Sequence, residues 1–203
     1  MTVPQTQILS KRERNRLNIR GAILKAARIR FQQDGIQDAR MDEIADEAAV
    51  SRATLYNYFP SKADIIDALV ERMGDDFVAL ILRHTQEAGS TADRIVATFT
   101  ESARILEAEA DVARLLVEIS WQSWGSEGGN SGLARLIDAF IVLLGGKDGA
   151  DDIRKDVDIR LMAEMLISVY TGVIRSWQQS TNYPLQKQLA AAARLMGETF
   201  ARN

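Results

Sequence analysis

The sequence predicts an all-α protein of about nine helices, with an N-terminal helix-turn-helix domain and a larger helical body. Apolar residues recur every three or four positions in one segment after another, which is the spacing of helices that face a core. Residues 41–62 contain two short segments of this kind joined by a tight turn. Charge divides at the same place, since residues 1–62 carry 11 Lys and Arg against 7 Asp and Glu, whereas residues 63–203 carry 14 against 21. A basic end on an acidic body favours a polyanion-binding face at the N-terminus.

The composition is that of an ordinary globular protein. Apolar residues make up 46% of the 203 positions and charged residues 26%, and this length suffices for a small domain beside a larger one. No apolar run approaches the roughly 18 residues that span a bilayer, and the N-terminus has no hydrophobic signal segment. Neither membrane insertion nor secretion is therefore expected. The absence of cysteine excludes disulfides and fits a reducing cytoplasm, which is the predicted location.

The first helix is predicted to begin at Arg16. Its apolar stripe, with members four residues apart, consists of Ile19, Ile23, Ala27 and Phe31. Gly35 is placed to end this helix in a left-handed conformation. Residues 1–15 show no sustained periodicity and are expected to form a mobile arm. Basic residues in and beside this arm suit contact with phosphates or a minor groove, and a solvated tail without a role is the alternative. They are Lys11, Arg12, Arg14 and Arg16.

Residues 41–59 have the pattern of a helix-turn-helix. The apolar residues at helical spacing in the first short helix are Ile44, Ala45 and Ala48. Ser51 suits the N-cap of the second helix, because its hydroxyl can accept a hydrogen bond from a first-turn amide. Leu55 and Phe59 then lie one turn apart on the inner face. The residues left near the N-terminal end or on the outer faces are Arg52, Ala53, Thr54, Tyr56, Asn57 and Tyr58.

A long fourth helix is predicted to follow Ser61, which begins a capping box completed by Asp64. Its apolar positions are Ile66, Leu69, Val70, Met73, Phe77, Leu80 and Ile81. Further helices are predicted over residues 92–108, 112–124, 133–144, 157–179 and 185–201. Residues 125–132, which are rich in glycine and serine, are predicted to form a flexible break. Pro184 falls near the first position of the last helix, where its missing amide costs nothing.

Two residues of the second short helix carry groups that suit base edges. Arg pairs bidentately with guanine and Asn with adenine, so Arg52 and Asn57 are both candidates. Asn57 lies about a turn and a half into the helix and is expected to point sideways. Arg52 is therefore the favoured base-reading residue.

The N-terminal segment resembles the DNA-binding domain of the tetracycline-repressor (TetR) family of bacterial transcriptional regulators. Three pieces match in a fixed order: ILKAARIRFQQDG at 23–35, MDEIADEAAVSRATLYNYF at 41–59, and Pro60-Ser61-Lys62 at the start of the fourth helix. The resemblance implies a dimeric, ligand-responsive regulator, most often a repressor. It also implies that the fourth helix couples ligand entry to the separation of the recognition helices.

Two positions depart from the family pattern. Ala49 stands where the turn usually has Gly, and an alanine adopts a positive φ only at some cost. Arg40 stands where a Thr commonly caps the second helix, so Asp38 becomes the candidate cap and Arg40 is left for a phosphate.

The resemblance assigns further roles around the second short helix. It implies that Ala53 approaches a base, such as a thymine methyl group, and that Thr54, Tyr56, Tyr58 and Lys62 hold phosphates. Hydroxyl and ammonium groups are the expected partners of phosphate oxygens. The complete predicted set of DNA-contacting residues is Arg40, Ser51, Arg52, Ala53, Thr54, Tyr56, Asn57, Tyr58 and Lys62.

The last two helices carry an apolar arc wider than one core-facing stripe, which favours a homodimer interface. The candidate interface residues are Leu161, Ser168, Gly172, Leu189, Met196 and Phe200. In a dimer, two recognition helices about 34 Å apart would bind a near-palindromic operator in double-stranded DNA. A monomer with a thick core is the alternative.

The body helices also predict, with the support of the resemblance, a cavity for a small hydrophobic effector. The candidate lining residues are Phe77, His84, Phe99, Trp121, Trp124, Met165, Tyr170 and Arg175. A simple core is the alternative, because apolar residues at helical spacing are more often core than cavity wall.

No enzymatic chemistry is expected. One histidine and no cysteine leave no cluster with zinc or iron ligand spacing, and the chain has no G-x-S-x-G nucleophile elbow. Neither a catalytic residue nor a metal or cofactor site is therefore predicted. The predicted division is a basic arm at 1–15, a helix-turn-helix domain at 16–62 and an effector-binding and dimerisation domain at 63–203. The alternatives are a DNA-binding regulator without a small-molecule effector, and a helical scaffold or enzyme whose helix-turn-helix is coincidental.

Overall fold

The computed structural model describes residues 10–123, 127–146 and 149–202. Within these residues it contains nine α-helices and no β-strand. The helices are α1 (Lys11–Asp38), α2 (Met41–Glu47), α3 (Arg52–Tyr58), α4 (Lys62–His84), α5 (Thr91–Ala108), α6 (Ala110–Ser123), α7 (Glu127–Leu143), α8 (Ile159–Gln179) and α9 (Leu185–Phe200). The prediction of an all-α protein is confirmed. None of the helices among the described residues is both long enough and apolar enough to cross a membrane.

The chain divides into two compact units, Met1–Leu69 and Val70–Asn203. In the first unit α1 packs against α2, and α2 against α3. The apolar side chains buried there are Ile23, Leu24, Phe31, Ile44, Leu55, Phe59, Ile65 and Leu69. Helix α4 begins in the first unit and ends in the second.

Helix α1 begins at Lys11 rather than at Arg16. Ser10 caps it through a complete capping box, in which Glu13 N donates to Ser10 Oγ at 3.2 Å and Ser10 N donates to the Glu13 carboxylate at 2.8 Å. Residues 11–15 of the predicted arm are therefore helical, and residues 1–9 lie outside the described part of the chain. Gly35 interrupts α1 with the predicted positive φ of 79°, but its ψ of 158° is not that of a left-handed helix.

The second unit is built around α5, α8 and α9. Helix α9 packs along α5, and α8 packs against both α7 and α9. Gly197 of α9 lies so close to α5 that a Cβ atom at this position would be 2.7 Å from Ala92 Cβ. The largest side chains of this core are fully buried. They are Phe99, Phe140, Phe200 and Trp177.

The segment between α7 and α8 ties the ends of α5 and α9 together. Asp152 accepts hydrogen bonds from Thr91 N at 2.6 Å and Thr91 Oγ1 at 2.7 Å, which fixes the first residue of α5 to this segment. Burial raises the pKa of the Asp152 carboxyl and the Thr91 hydrogen bonds lower it, and the net pKa lies below the ordinary value. The neighbouring Ile153 forms an isolated antiparallel bridge with Ala201, directly after α9.

Helix α7 differs from its prediction. It begins at Glu127, within the segment that was predicted to form a flexible break over residues 125–132. The prediction is therefore wrong from Glu127 onward, whereas residues 125 and 126 lie outside the described residues. Helix propensity is a weak guide here, because α7 packs against α8 and tertiary contacts override the low propensity of glycine.

Candidate DNA-binding surface

Helix α3 has one side buried in the first unit and another side exposed to solvent. Leu55 is fully buried and Phe59, just past the end of the helix, is 2% exposed. The exposed residues on α3 are Arg52, Ala53, Tyr56 and Asn57, while Thr54 and Tyr58 are half-buried. Since residues four apart share a helix face, burial of Leu55 and Phe59 leaves the other faces to solvent. The result is a polar helix surface whose inner side is anchored in the first unit.

The turn before α3 has a strained residue followed by a strong cap. Ala49 has a φ of 54°, and Val50 N donates to Ala45 O at 3.0 Å to close the turn. Ser51 is the N-cap, as predicted, because Thr54 N donates to its Oγ at 3.0 Å. The hydroxyls of Ser51 and Thr54 also lie 2.8 Å apart and form a second hydrogen bond. The turn therefore fixes the start of α3, where the candidate base-reading residue stands.

Arg40 has a different part in the fold from the one predicted. It is itself the N-cap residue of α2, and its backbone N–H donates to the Glu43 carboxylate at 3.1 Å. The prediction of Asp38 as the cap is wrong, since Asp38 is the last residue of α1. The Arg40 side chain is exposed and makes no capping hydrogen bond. It stays a candidate for a phosphate.

Arg52 is paired within the protein. Its Nη2 lies 2.7 Å from Asp42 Oδ2 in the first turn of α2. The Arg52 side chain is 70% exposed and that of Asp42 is 26% exposed. The guanidinium of Arg52 is thus exposed to solvent, while Asp42 of the neighbouring helix α2 forms an ion pair with its Nη2. The role of this acid is not evident from the sequence alone.

Lys62 is not available to a phosphate in this structure. Its Nζ lies 2.6, 2.8 and 2.9 Å from the carbonyl oxygens of Ile36, Gln37 and Ala39. An ammonium group has three N–H donors and no acceptor, so all three donors are used inside the protein. The predicted phosphate contact is corrected accordingly: Lys62 ties the start of α4 to the end of α1.

A basic groove runs beside α3. It has a volume of about 660 Å³ and is lined by Arg12, Glu13, Asn15, Arg16, Arg20, Asn57 and Tyr58. The three arginines are four residues apart on α1, so they share one face of that helix. Arg20 is held in place, because its Cζ lies 4.8 Å from the ring centroid of Phe59. The groove therefore joins two predicted DNA contacts, Asn57 and Tyr58, to a row of cations.

Three of the predicted effector-lining residues come together in the second unit. The rings of Phe77 and Tyr170 are stacked with centroids 4.5 Å apart, and Phe99 meets Tyr170 edge-on at 5.2 Å. The Tyr170 hydroxyl and Ser102 Oγ share a hydrogen bond of 2.7 Å. Burial raises the pKa of Tyr170 far above its ordinary value, which keeps the hydroxyl neutral.

The other predicted lining residues that the structure describes do not join this cluster. His84 is buried, with Nε2 3.1 Å from a Glu101 oxygen that also lies 2.6 Å from Arg83 Nη2. The hydrogen bond from Arg83 lowers the pKa of Glu101, so this carboxylate stays charged beside the histidine. Met165 is 37% exposed and Arg175 is exposed, both on α8. The Trp121 side chain and Trp124 lie outside the described part of the structure.

The predicted interface residues divide into two groups. Leu161, Ser168 and Gly172 are exposed on α8. The other three are buried in the core of their own unit, with exposures of 0, 5 and 2%, and cannot supply interface surface. These corrected residues are Leu189, Met196 and Phe200, which lie on the side of α9 that packs within the unit. Leu195, a member of the apolar arc that was not among the candidate interface residues, is a large apolar side chain of α9 with 63% exposure.

Comparison with protein families identifies the first unit. The model of the bacterial regulatory proteins of the tetR family matches residues 23–69. The likeness to the TetR family is thus established for this segment of the chain. The matched residues include most of α1, all of α2 and α3, and the start of α4. The TetR match thus covers α3 and the turn that positions it.

Individual curated relatives match over less than half of the chain. FasR of Mycolicibacterium smegmatis, an HTH-type transcriptional activator, is 32% identical over 99 residues, which are 49% of this chain and 45% of FasR. The nucleoid occlusion factor SlmA of Sodalis glossinidius is 32% identical over 88 residues, which are 43% of this chain and 44% of SlmA. The match spans just under half the length of each relative.

Most of the chain is similar in fold to solved structures of a repressor. SmeT, the repressor of the Stenotrophomonas maltophilia multidrug efflux pump SmeDEF, has a TM-score of 0.68 at 22% identity, with 91% of each chain covered. A complex of SmeT with triclosan has a TM-score of 0.69. At 22% identity, the similarity between this chain and SmeT shows a shared fold.

Proposed function

We propose that this protein is a sequence-specific DNA-binding transcriptional regulator, acting as a repressor that binds its operator as a dimer. The observation that carries the proposal is the exposed face of α3, because Arg52, Ala53, Tyr56 and Asn57 stand in solvent on a helix whose other side is buried. A helix held in this way can enter the major groove and present its first residues to base edges.

The proposed contacts fall into two classes. Arg52 hydrogen-bonds a guanine and Ala53 meets a thymine methyl group, which together supply sequence discrimination. Phosphates are held by the hydroxyls of Ser51, Thr54, Tyr56 and Tyr58 and by Arg40, while the basic groove extends the phosphate contacts beyond α3. Asn57 is placed for either class of contact, since it is exposed on α3 and also lines the basic groove.

Dimerisation is proposed through an exposed face of α8 and α9. Leu161 and Met165 are 49 and 37% exposed, and Ser168 and Gly172 continue the same face along α8. Small residues at this spacing allow a second helix to approach closely, and Leu195 on α9 adds an exposed apolar side chain. Two copies joined in this way would present two α3 helices to the halves of a near-palindromic operator.

A small hydrophobic effector is proposed to release the operator. Support comes from the aromatic cluster of Phe77, Phe99 and Tyr170 in the second unit and from SmeT, whose structure has been solved with triclosan. The cluster includes a residue of α4, the helix that begins in the DNA-binding unit. Ligand insertion beside Phe77 would therefore act directly on α4.

The test is selection of randomised duplex DNA by the purified protein at two salt concentrations. Enrichment of a near-palindrome whose affinity falls steeply with salt is expected, because phosphate contacts release counterions. Arg52→Ala should weaken the selected operator by roughly 1–3 kcal/mol and relax one position, while Tyr56→Phe should weaken every sequence alike. Failure of the folded protein to enrich any sequence would contradict the proposal and favour a helical scaffold or enzyme.

A regulator without a small-molecule effector is the second candidate. It is favoured by the direct stacking of Phe77 on Tyr170, because rings in contact leave no space between them for a ligand. Triclosan is a suitable first probe in a thermal-shift measurement on the protein without DNA, with operator release measured separately. A raised midpoint together with operator release supports the effector, whereas operator binding that a panel of hydrophobic compounds leaves unchanged supports the second candidate.

A further inference from the structure

The ion pair between Arg52 and Asp42 lies at the proposed DNA contact rather than in the core. Asp42 stands in the first turn of α2 and Arg52 in the first turn of α3, and Nη2 and Oδ2 are 2.7 Å apart. Arg52 is 70% exposed, so the pair is open to solvent on the side where DNA is proposed to bind. It joins the two helices across their turn.

The ion pair itself contributes little to the stability of the fold. Exposed ion pairs contribute little to folding, typically about 0–1 kcal/mol. A carboxylate beside the contact surface repels phosphates, so Asp42 should weaken binding to any DNA sequence. Asp42 also lies in the first turn of α2, where a negative charge favours the helix, so its effect on Arg52 is separated from its effect on stability by the control described below.

The pair leaves Arg52 able to contact a base. Each η nitrogen of a guanidinium carries two N–H groups, and the Asp42 contact uses one of those on Nη2. The remaining donors include one on each η nitrogen, which is the fork that guanine O6 and N7 accept. Held by Asp42, the long Arg52 side chain is pre-ordered for that contact and has less rotational freedom to lose.

We propose that Asp42 is a specificity-determining residue, which positions Arg52 for a guanine and penalises DNA that offers none at that position. On the operator, Arg52 keeps Asp42 and gains the base. On other DNA, Arg52 keeps Asp42 but finds no guanine, while the Asp42 carboxylate still repels the phosphates. The inference rests on the proposed function, since it requires that α3 bind DNA.

The test compares Asp42→Asn with Asp46→Asn, which removes the same charge from an exposed position on the same helix. For each variant and for the wild type, affinity is measured for the selected operator, for random duplex DNA, and for an operator with 7-deazaguanine at the position that depends on Arg52. Asp42→Asn should bind random DNA several-fold more tightly and lose about tenfold in the ratio of operator to random affinity. Asp46→Asn should raise both affinities together and keep the ratio. Combining Asp42→Asn with Arg52→Ala should leave the ratio where Arg52→Ala alone puts it.

Each outcome decides between the two proposals. If Asp42→Asn leaves the ratio of operator to random affinity unchanged, or if Asp46→Asn changes this ratio as much, the role of Asp42 is overturned and the proposed function stands. The role of Asp42 is also overturned if Arg52→Ala does not weaken operator binding, or if 7-deazaguanine in the operator does not change the affinity. A folded wild type that prefers no sequence overturns both proposals. Unfolding of each variant by denaturant serves as the control, since a merely structural Asp42 would change stability without changing the ratio.

Discussion

Among the described residues, Ala49 is the only non-glycine residue with a positive φ. Its φ of 54° places the Cβ atom against the following carbonyl, which costs roughly 1–2 kcal/mol in an L-residue. The residue is exposed, so no packing compensates for the strain. The turn is closed instead by the hydrogen bond from Val50 to Ala45 and by the Ser51 cap.

Replacing Ala49 with glycine should stabilise the DNA-binding unit. Relief of the positive φ exceeds the extra freedom that glycine gains in the unfolded chain, so the free energy of unfolding should rise by about 0.5–1 kcal/mol. Ala48→Gly is the matched control, because Ala48 has an ordinary φ of −79° and should lose about as much as Ala49→Gly gains. Circular dichroism during denaturation follows both units, whereas the tryptophans, all beyond residue 70, report the second unit alone. A loss of stability in Ala49→Gly would show that the turn is not strained.

Lys62 allows a test of structure against DNA contact at one side chain. Methionine keeps most of the methylene chain and removes the ammonium, so Lys62→Met leaves the carbonyls of Ile36, Gln37 and Ala39 without this donor. The first unit should lose about 1–3 kcal/mol of stability in denaturant unfolding, because the hydrogen bonds come from a charged group. The salt dependence of operator binding should not change. A phosphate contact would give the opposite pattern, with stability preserved and the salt slope reduced by about one. Lys25→Met, at an exposed position on α1, controls for the loss of a positive charge.

At the scale of helices, the close approach of α5 and α9 depends on Gly197. A Cβ atom there would lie 2.7 Å from Ala92 Cβ and 3.1 Å from Ala92 Cα, well inside van der Waals contact. Gly197→Ala should therefore force the two helices apart and cost about 1–3 kcal/mol in the second unit. Gly74→Ala is the control, since a Cβ atom at that helical position meets nothing within 4 Å and should stabilise α4 by about 0.5–1 kcal/mol. Unfolding followed by tryptophan fluorescence measures both. Equal effects of the two changes would mean that α5 and α9 can separate without cost.

Helices and their local caps were accessible from the sequence, because both depend on residues a few positions apart. The spacing of Leu55 and Phe59 predicted the buried face of α3, and Ser51 was identified as its cap. The start of α1 was equally local, since Ser10 and Glu13 form a capping box that the helical periodicity alone does not show. Propensity misplaced the start of α7, because glycine is unfavourable in an isolated helix but tolerated in a packed one.

Side-chain partners from different helices were not accessible in the same way. Lys62 is bonded to carbonyls 23 to 26 residues earlier, and Asp42 meets Arg52 across a turn. Such contacts depend on how helices pack, which periodicity does not specify. The same limit applies to α9, where an apolar arc was evident but its division between core and surface was not. Leu189, Met196 and Phe200 proved to be buried, and Leu195 exposed.

At the scale of the whole molecule, α8 and α9 both expose apolar side chains that a second subunit would cover. Leu161, Met165 and Leu195 are between 37 and 63% exposed, and solvent-exposed leucines near small residues are typical of helix–helix interfaces between subunits. A stable dimer buries about 800 Å² on each subunit, which two helices of this length can supply. We expect the isolated protein to be a dimer in light scattering.

A charge placed on this face should separate the dimer without unfolding the subunit. Leu161→Glu changes a side chain that is 49% exposed, so the glutamate stays hydrated in the monomer but would be buried without a partner in the dimer. Ile105→Glu on α5 is the matched control, because Ile105 is 46% exposed and lies outside the proposed interface. Light scattering should show a monomer for Leu161→Glu and a dimer for Ile105→Glu. DNA binding gives an independent criterion. The monomer should keep the affinity of one subunit for an isolated half-site but should not bind the full operator more tightly than the half-site. In a dimer that extra affinity arises because the two subunits are linked, without any new contact. A Leu161→Glu protein that remains dimeric would place the interface elsewhere, and the exposed face of α8 would then need another partner.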